Sequence, residues 1–134
     1  MADENRNFQV EIITPDRIFY TGEATMIEFT SVEGDMGVYK DHIPLTTVLA
    51  PGIVTITEES GQKKAAVHSG FAEILGDKVT LLAEIAEWPD EIDWDRAERA
   101  KRRAQERLAS KAEDLDMMRA ELALRRALVR ISLK

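Results

Sequence analysis

The sequence predicts an α+β chain, an antiparallel β-sandwich or barrel followed by two helices, on three observations. From Phe8 to Glu84, short β-branched pieces alternate with the turn signals TP, GE, PG, SG and GD every eight to twelve residues, the spacing of an all-β sandwich or barrel. After Trp88-Pro89 the chain contains neither glycine nor proline and is written in Ala, Glu, Arg, Lys and Leu, which are good helix formers. Charge changes at the same place: residues 1–89 carry 15 acids and 6 bases, residues 90–134 carry 10 and 12, so a segment of −9 precedes one of +2 in a chain of net −7. Residues 1–88 and 89–134 are therefore expected to form two units that face different partners.

The strand candidates in order are FQVEII, RIFYTGE, ATMIEFTS, LTTVLA, GIVTITEE, KKAAVHS, FAEIL and KVTLLAE. Alternation is clear at Val10 and Ile12 and again from Met26 or Ile27 through Phe29, the period of a strand with one buried face. Asp93 stands where the first helix needs an N-cap. Ser110-Lys111-Ala112-Glu113 has the S-x-x-E form of a capping box and predicts the start of the second helix. Ala97, Ala100, Ala104 and Leu108 share one face of the first helix, and Leu115, Met118, Leu122 and Val129 share one face of the second. An antiparallel hairpin would bury both stripes. The first is mostly alanine, and at ~25 cal/mol per Å² it holds less firmly than a leucine seam.

Composition excludes several functions. With 134 residues the chain has the size of one domain with one core and an appendage. No cysteine is present, so disulfides and thiolate zinc cages are excluded and a reducing compartment is compatible. The start MADENRNFQV lacks the basic-then-apolar order of a signal peptide, and no apolar run approaches the ~18 residues of a membrane span. A soluble protein that works where it is made is the expectation. A pI near 4.9 without a dense basic stripe argues against nucleic acid.

EGDMGVYKDHIP places Glu33, Asp35, Asp41 and His42 among glycines. A metal site needs three or four converging ligands and supporting partners, and the chain has only His42 and His68 to supply imidazole. The residues favour a tight loop in which Gly34 and Gly37 take backbone angles closed to other residues, with solvated acids at the tip. His68 reads as a strand residue rather than a ligand. Downstream, Arg96 and Arg103 lie two helical turns apart on one face, and Arg126 and Arg130 one turn apart on theirs. If those faces meet, four guanidiniums converge, an arrangement that suits phosphate oxygens. Spacing alone favours the plainer alternative, solvated pairs of Glu98 with Arg102 and of Glu106 with Arg102 or Arg103, each contributing ~0.3–0.5 kcal/mol.

GDMGVYKDHIPLTTVLAPG, then SGFAEILGDKVTLLAEIAE, then IDWDRA resemble the epsilon subunits of bacterial and chloroplast F-type ATP synthases, in the family's order and across nearly the whole chain. The resemblance implies an N-terminal β-sandwich at the foot of the rotary central stalk, bound to the gamma subunit and the c-subunit ring, and a C-terminal helical hairpin. It also implies that Asp35, with Glu33 beside it and His42 near the same rim, contacts the basic loops of the c ring. In some bacterial members the hairpin holds ATP. Carried over by position, that site comprises Glu87, Ile92, Asp93, Arg96, Ala97, Arg103, Arg126 and Arg130, with adenine against Ile92 and Asp93 and polar or phosphate contacts from the arginines. An opened arm would meet the alpha/beta catalytic hexamer and brake hydrolysis.

The implied function is a non-catalytic rotor subunit coupling proton translocation to ATP synthesis, peripheral to the membrane. It would lie on the cytoplasmic face of a bacterial inner membrane or the stromal side of a chloroplast thylakoid. No cofactor is required, and ATP is the expected regulatory ligand. The chain lacks the G-x-x-x-x-G-K-[ST] loop that cradles phosphates for catalysis. An autonomous ATP-sensing module is the alternative, and a metal-dependent hydrolase centred on Glu33, Asp35 and His42 is the contrast.

Overall fold

The computed structural model describes residues 5–110 and 116–134. Its elements are β1 (Phe8–Thr14), β2 (Arg17–Ala24), β3 (Met26–Ser31), β4 (Gly34–Val38), β5 (Leu45–Leu49), β6 (Gly52–Glu58), β7 (Gly61–Ile74) and β8 (Lys78–Glu87). A single 3-10 turn (Pro89–Glu91) leads to α1 (Trp94–Ser110) and α2 (Met117–Ser132). The strands form two layers that share β7. One layer runs β2-β1-β8-β7-β5; in the other, β4 pairs β3, β3 pairs β6 and β6 returns to β7.

β7 serves both layers because it is long and bent. Its first half, Gly61 to Val67, pairs with β6, and its second half, Gly70 to Ile74, pairs with β5. Between them Ser69 and Gly70 take positive φ, 61° and 122°. A Cβ on Gly70 would stand 2.0 Å from the Leu82 carbonyl oxygen, so only glycine permits this approach of β7 to β8. The SG signal expected to end one strand and begin another thus marks a bend inside one strand. GDMGV, expected as loop, is strand β4: its register against β3 runs from Ile27↔Val38 to Ser31↔Gly34, leaving a two-residue turn at Val32-Glu33. Gly34 takes φ 130° as expected. Gly37 does not have positive φ; it is extended beneath Met26, whose Cε would lie 2.8 Å from an added Cβ.

The core lies between the layers. Alternation puts Val10, Ile12, Leu81, Ala72 and Ile74 inward from one and Ile27, Phe29, Val54, Ile56 and Val67 inward from the other. One pairing departs from the antiparallel expectation, since β1 and β8 run parallel from Gln9↔Lys78 to Ile13↔Leu82. Trp88 closes the core's end, stacked on Phe19 with ring centroids 4.3 Å apart.

α1 is capped as the sequence predicts: the Arg96 amide donates to Asp93 Oδ1 at 3.0 Å. The second helix is not capped at Ser110, which ends α1 with its hydroxyl donating to the Arg107 carbonyl. Glu113 lies outside the described residues, and Asp116 caps α2 by accepting from the Arg119 amide at 3.0 Å. The α1 stripe is buried at Ala97 and Ala104, but α2 buries Ala120 and Ala127. Met118 is 81% exposed and Leu115 lies outside the described residues, so the leucine-methionine face does not make the seam. Alanines on both helices let the backbones approach closely. α2 also lies against β6 and β7, seating the hairpin on the sandwich.

Candidate functional site

Where the hairpin meets the end of β8, a cavity of about 430 Å³ is lined by Ile85, Glu87, Glu91, Ile92, Asp93, Arg96, Ala97, Ala100, Arg103 and Arg130. Seven of the eight residues singled out for nucleotide line it. Arg126 does not, and its partly buried guanidinium has an Nε without a hydrogen-bond partner among the described residues.

Each carboxylate of the cavity is already committed. Glu87 Oε1 accepts from Arg130 Nε at 2.7 Å and stands 3.5 Å from His68 Nε2. Burial pushes the Glu87 carboxyl up, but the nearby His68 imidazole and the bonded Arg130 guanidinium outweigh it and hold the group below the ordinary carboxylate range. Glu91 accepts from Arg17 Nη2 at 2.9 Å and from the Trp88 amide at 2.8 Å, and these two bonds, Arg17 first, likewise lower its pKa. Asp93 is engaged at the head of α1. Arg96 and Arg103 are left without an ion-pair partner among the described residues, and neither Glu98 nor Glu106 pairs with Arg102 or Arg103. The solvated-pair reading therefore fails at these positions.

The cavity joins two guanidiniums without an ion-pair partner among the described residues, and the paired Arg130, to an apolar floor of Ile85, Ile92, Ala97 and Ala100. That combination fits a ligand with an anionic end and a flat apolar body. Spacing had not pointed to Ile85, Ala100 or Glu91. His68 is the strand residue the sequence predicts, fully buried in β7 at 0% exposure.

The acidic loop residues lie elsewhere. Glu33 and Asp35 are exposed at the tip and on the strand of the β3–β4 hairpin. Asp35 Oδ1 accepts from Thr30 Oγ1 at 2.9 Å, and neither acid has a cationic partner among the described residues. His42, in the β4–β5 connection, turns its Nδ1 to the Ile43 carbonyl at 2.7 Å. No group of three or more histidines and acids among the described residues converges on a metal position.

A further surface follows from register. Val48 opposes Phe71, Phe71 opposes Leu82, Leu82 opposes Ile13 and Ile13 opposes Ile18. This apolar stripe crosses β5, β7, β8, β1 and β2 on the outer face, with Phe71 54% and Ile18 65% exposed. The signal for it was present in FAEIL, where Phe71 shares the outward phase with Glu73.

Comparison with known proteins places the chain. The family described as "ATP synthase, Delta/Epsilon chain, beta-sandwich domain" matches residues 7–89, and "ATP synthase, Delta/Epsilon chain, long alpha-helix domain" matches residues 90–134. The ATP synthase epsilon chain of Shouchella clausii is 46% identical over 106 residues, covering 79% of this chain and 80% of the relative. That of Streptomyces griseus is 52% identical over 92 residues, covering 68% and 74%. In fold, the chain is similar to one in the electron cryo-microscopy structure of the Euglena gracilis mitochondrial ATP synthase, OSCP/F1/c-ring in rotational state 1, with TM-score 0.81 and 24% identity over 94% of this chain and 81% of that one. With both halves matched in order and relatives above 40% identity along most of its length, this chain belongs to the family of ATP synthase epsilon chains.

Proposed function

We propose that this non-catalytic subunit works in the central stalk of a rotary ATP synthase, coupling proton translocation to ATP synthesis, and that its hairpin closes on ATP. Residues 1–88 would be the docking unit and 89–134 the responsive one. The observation that carries the regulatory part is the cavity itself: Ile85 and Glu87 come from the sandwich, Arg96 and Arg103 from α1 and Arg130 from α2. Only a folded, seated hairpin brings them together. A ligand bound there favours the closed arm by its differential affinity for that state.

The residues fit ATP: Arg96, Arg103 and Arg130 for the phosphates, Ile92 and Ala97 for the base. Closed, the arm is withheld; open, it would present the basic helix bearing Arg119, Arg125, Arg126 and Arg130 to the alpha/beta hexamer and brake hydrolysis when ATP is scarce. The outer stripe from Val48 to Ile18 supports docking of the gamma subunit, because a contiguous apolar band across five strands is the surface an assembly covers. The exposed, unpaired acids Glu33 and Asp35 support contact with the c ring by charge complementarity. Among the described residues no helix is long and apolar enough to cross a membrane, in keeping with a peripheral place on the rotor.

Calorimetric titration of the isolated chain with ATP is expected to give saturable binding that Arg103→Ala weakens by about 1.5–3 kcal/mol, the range for hydrogen bonds to charged groups. No heat at millimolar ATP, or an unchanged affinity in Arg103→Ala, removes the nucleotide reading and leaves the stalk reading to stand on its family.

A further inference from the structure

The sandwich side of the cavity rests on an unfinished polar contact. His68 shares the outer face of β7 with Ala66; both are fully buried yet lie outside the hydrophobic core cluster. Neither ring nitrogen has a hydrogen-bond partner among the described residues, and a buried polar group in that state calls for an explanation. The acceptor within reach is Glu87 Oε1, 3.5 Å from His68 Nε2, and the same oxygen accepts from Arg130 Nε at 2.7 Å. One carboxylate oxygen therefore stands between the Arg130 guanidinium, to which it is bonded, and His68 Nε2, ~0.6 Å beyond an ordinary hydrogen-bond distance.

We infer that His68 is a positioning residue for the anion site: an anion that takes the guanidinium of Arg130 releases Glu87, and Glu87 moves onto His68 Nε2. This rests on the anion-binding reading of the cavity. Its necessity is electrostatic. A phosphate brought to Arg130 meets the Glu87 carboxylate, a like charge, with Glu87 still committed to the same guanidinium. A released carboxylate left half-buried without a donor would oppose binding. An imidazole N–H beneath it accepts the exchange with a shift of less than an ångström, and β7 keeps that ring in place because His68 is paired to Ile85 of β8 and the preceding Val67 to Gly52 of β6.

The chain has two histidines, so nitrogen-15 spectra of the full-length protein resolve the His68 ring against His42 as internal reference. ATP is expected to move the amide signals of Arg96 and Arg103 and, together with them, the His68 Nε2 signal in the direction of hydrogen bonding to a carboxylate. Movement of the amides with a stationary His68 ring overturns the positioning role and leaves nucleotide binding intact. If ATP moves nothing, the nucleotide reading fails, and Arg130→Gln without ligand decides the exchange. Loss of the guanidinium should bring Glu87 onto His68 and shift Nε2 likewise, and an unchanged ring signal there overturns the inference. In titrations, His68→Leu should weaken ATP binding about tenfold, one hydrogen bond to a charged group, while His68→Gln, which keeps a donor, should recover most of it. Equal affinity in His68→Leu and wild type contradicts the role.

Discussion

Glu87 is the residue on which the hairpin's seating turns. It holds α2 through Arg130 while touching buried His68, and the two contacts depress its pKa against the opposing effect of burial. A carboxyl whose folded pKa is lowered stabilises fully above its unfolded value, about 4.3 for Glu, and loses that stabilisation as pH falls through the folded value. The wild type is thus expected to exceed Glu87→Gln in hairpin stability by about 1 kcal/mol at neutral pH, somewhat below the range for a buried charged hydrogen bond because the side chain is a quarter exposed. That margin should close as pH drops below 4. Hydrogen exchange of the α2 amides across pH 3–7 in both proteins checks it, and parallel profiles would show that the Glu87–Arg130 pair contributes nothing. The carboxylate and the arginine were each legible in the sequence, through their family motif. Their partnership was not, since 43 positions separate them.

At the scale of elements, the seam of the hairpin is alanine against alanine, Ala97 and Ala104 with Ala120 and Ala127. Such a seam permits close helix approach and buries little apolar surface, so it holds weakly and tolerates no added volume. Ala127→Leu, at a position with 0% exposure, is expected to splay α2 at a cost of about 1–3 kcal/mol. Amide exchange should then rise through α1 and α2 while β1, β7 and β8 keep their protection. Uniform loss of protection in strands and helices would mean that hairpin and sandwich unfold as one unit. The α1 half of this seam was readable from spacing at Ala97, Ala100 and Ala104. The α2 half was misread because Met118 and Leu122 outrank alanine in hydropathy, and hydropathy does not encode how near two backbones lie.

At the scale of the molecule, three surfaces stand apart, the apolar stripe on one sheet, the acidic β3–β4 tip and the cavity under the hairpin, and the proposed function gives each its own partner. Charge reversal at the tip, Glu33→Lys with Asp35→Lys, is expected to leave the thermal midpoint nearly unchanged, because both side chains are exposed and only the Thr30–Asp35 hydrogen bond is lost. On the proposed c-ring contact, ATP-driven proton pumping by the reconstituted complex should fall, because reversed charge removes the complementarity that contact needs. Undiminished pumping would remove the docking role of these acids. The sequence by itself determined the break between strands and helices near Trp88, the cap at Asp93 and the arginine spacings. Propensity, capping and side-chain period all act over a few neighbouring residues. Tertiary structure alone decided that β7 runs unbroken through Ser69 and serves two layers, that β1 lies parallel to β8, and that Arg130 reaches Glu87 above a buried His68. Those outcomes depend on which distant segments cover one another, and no local pattern carries that information.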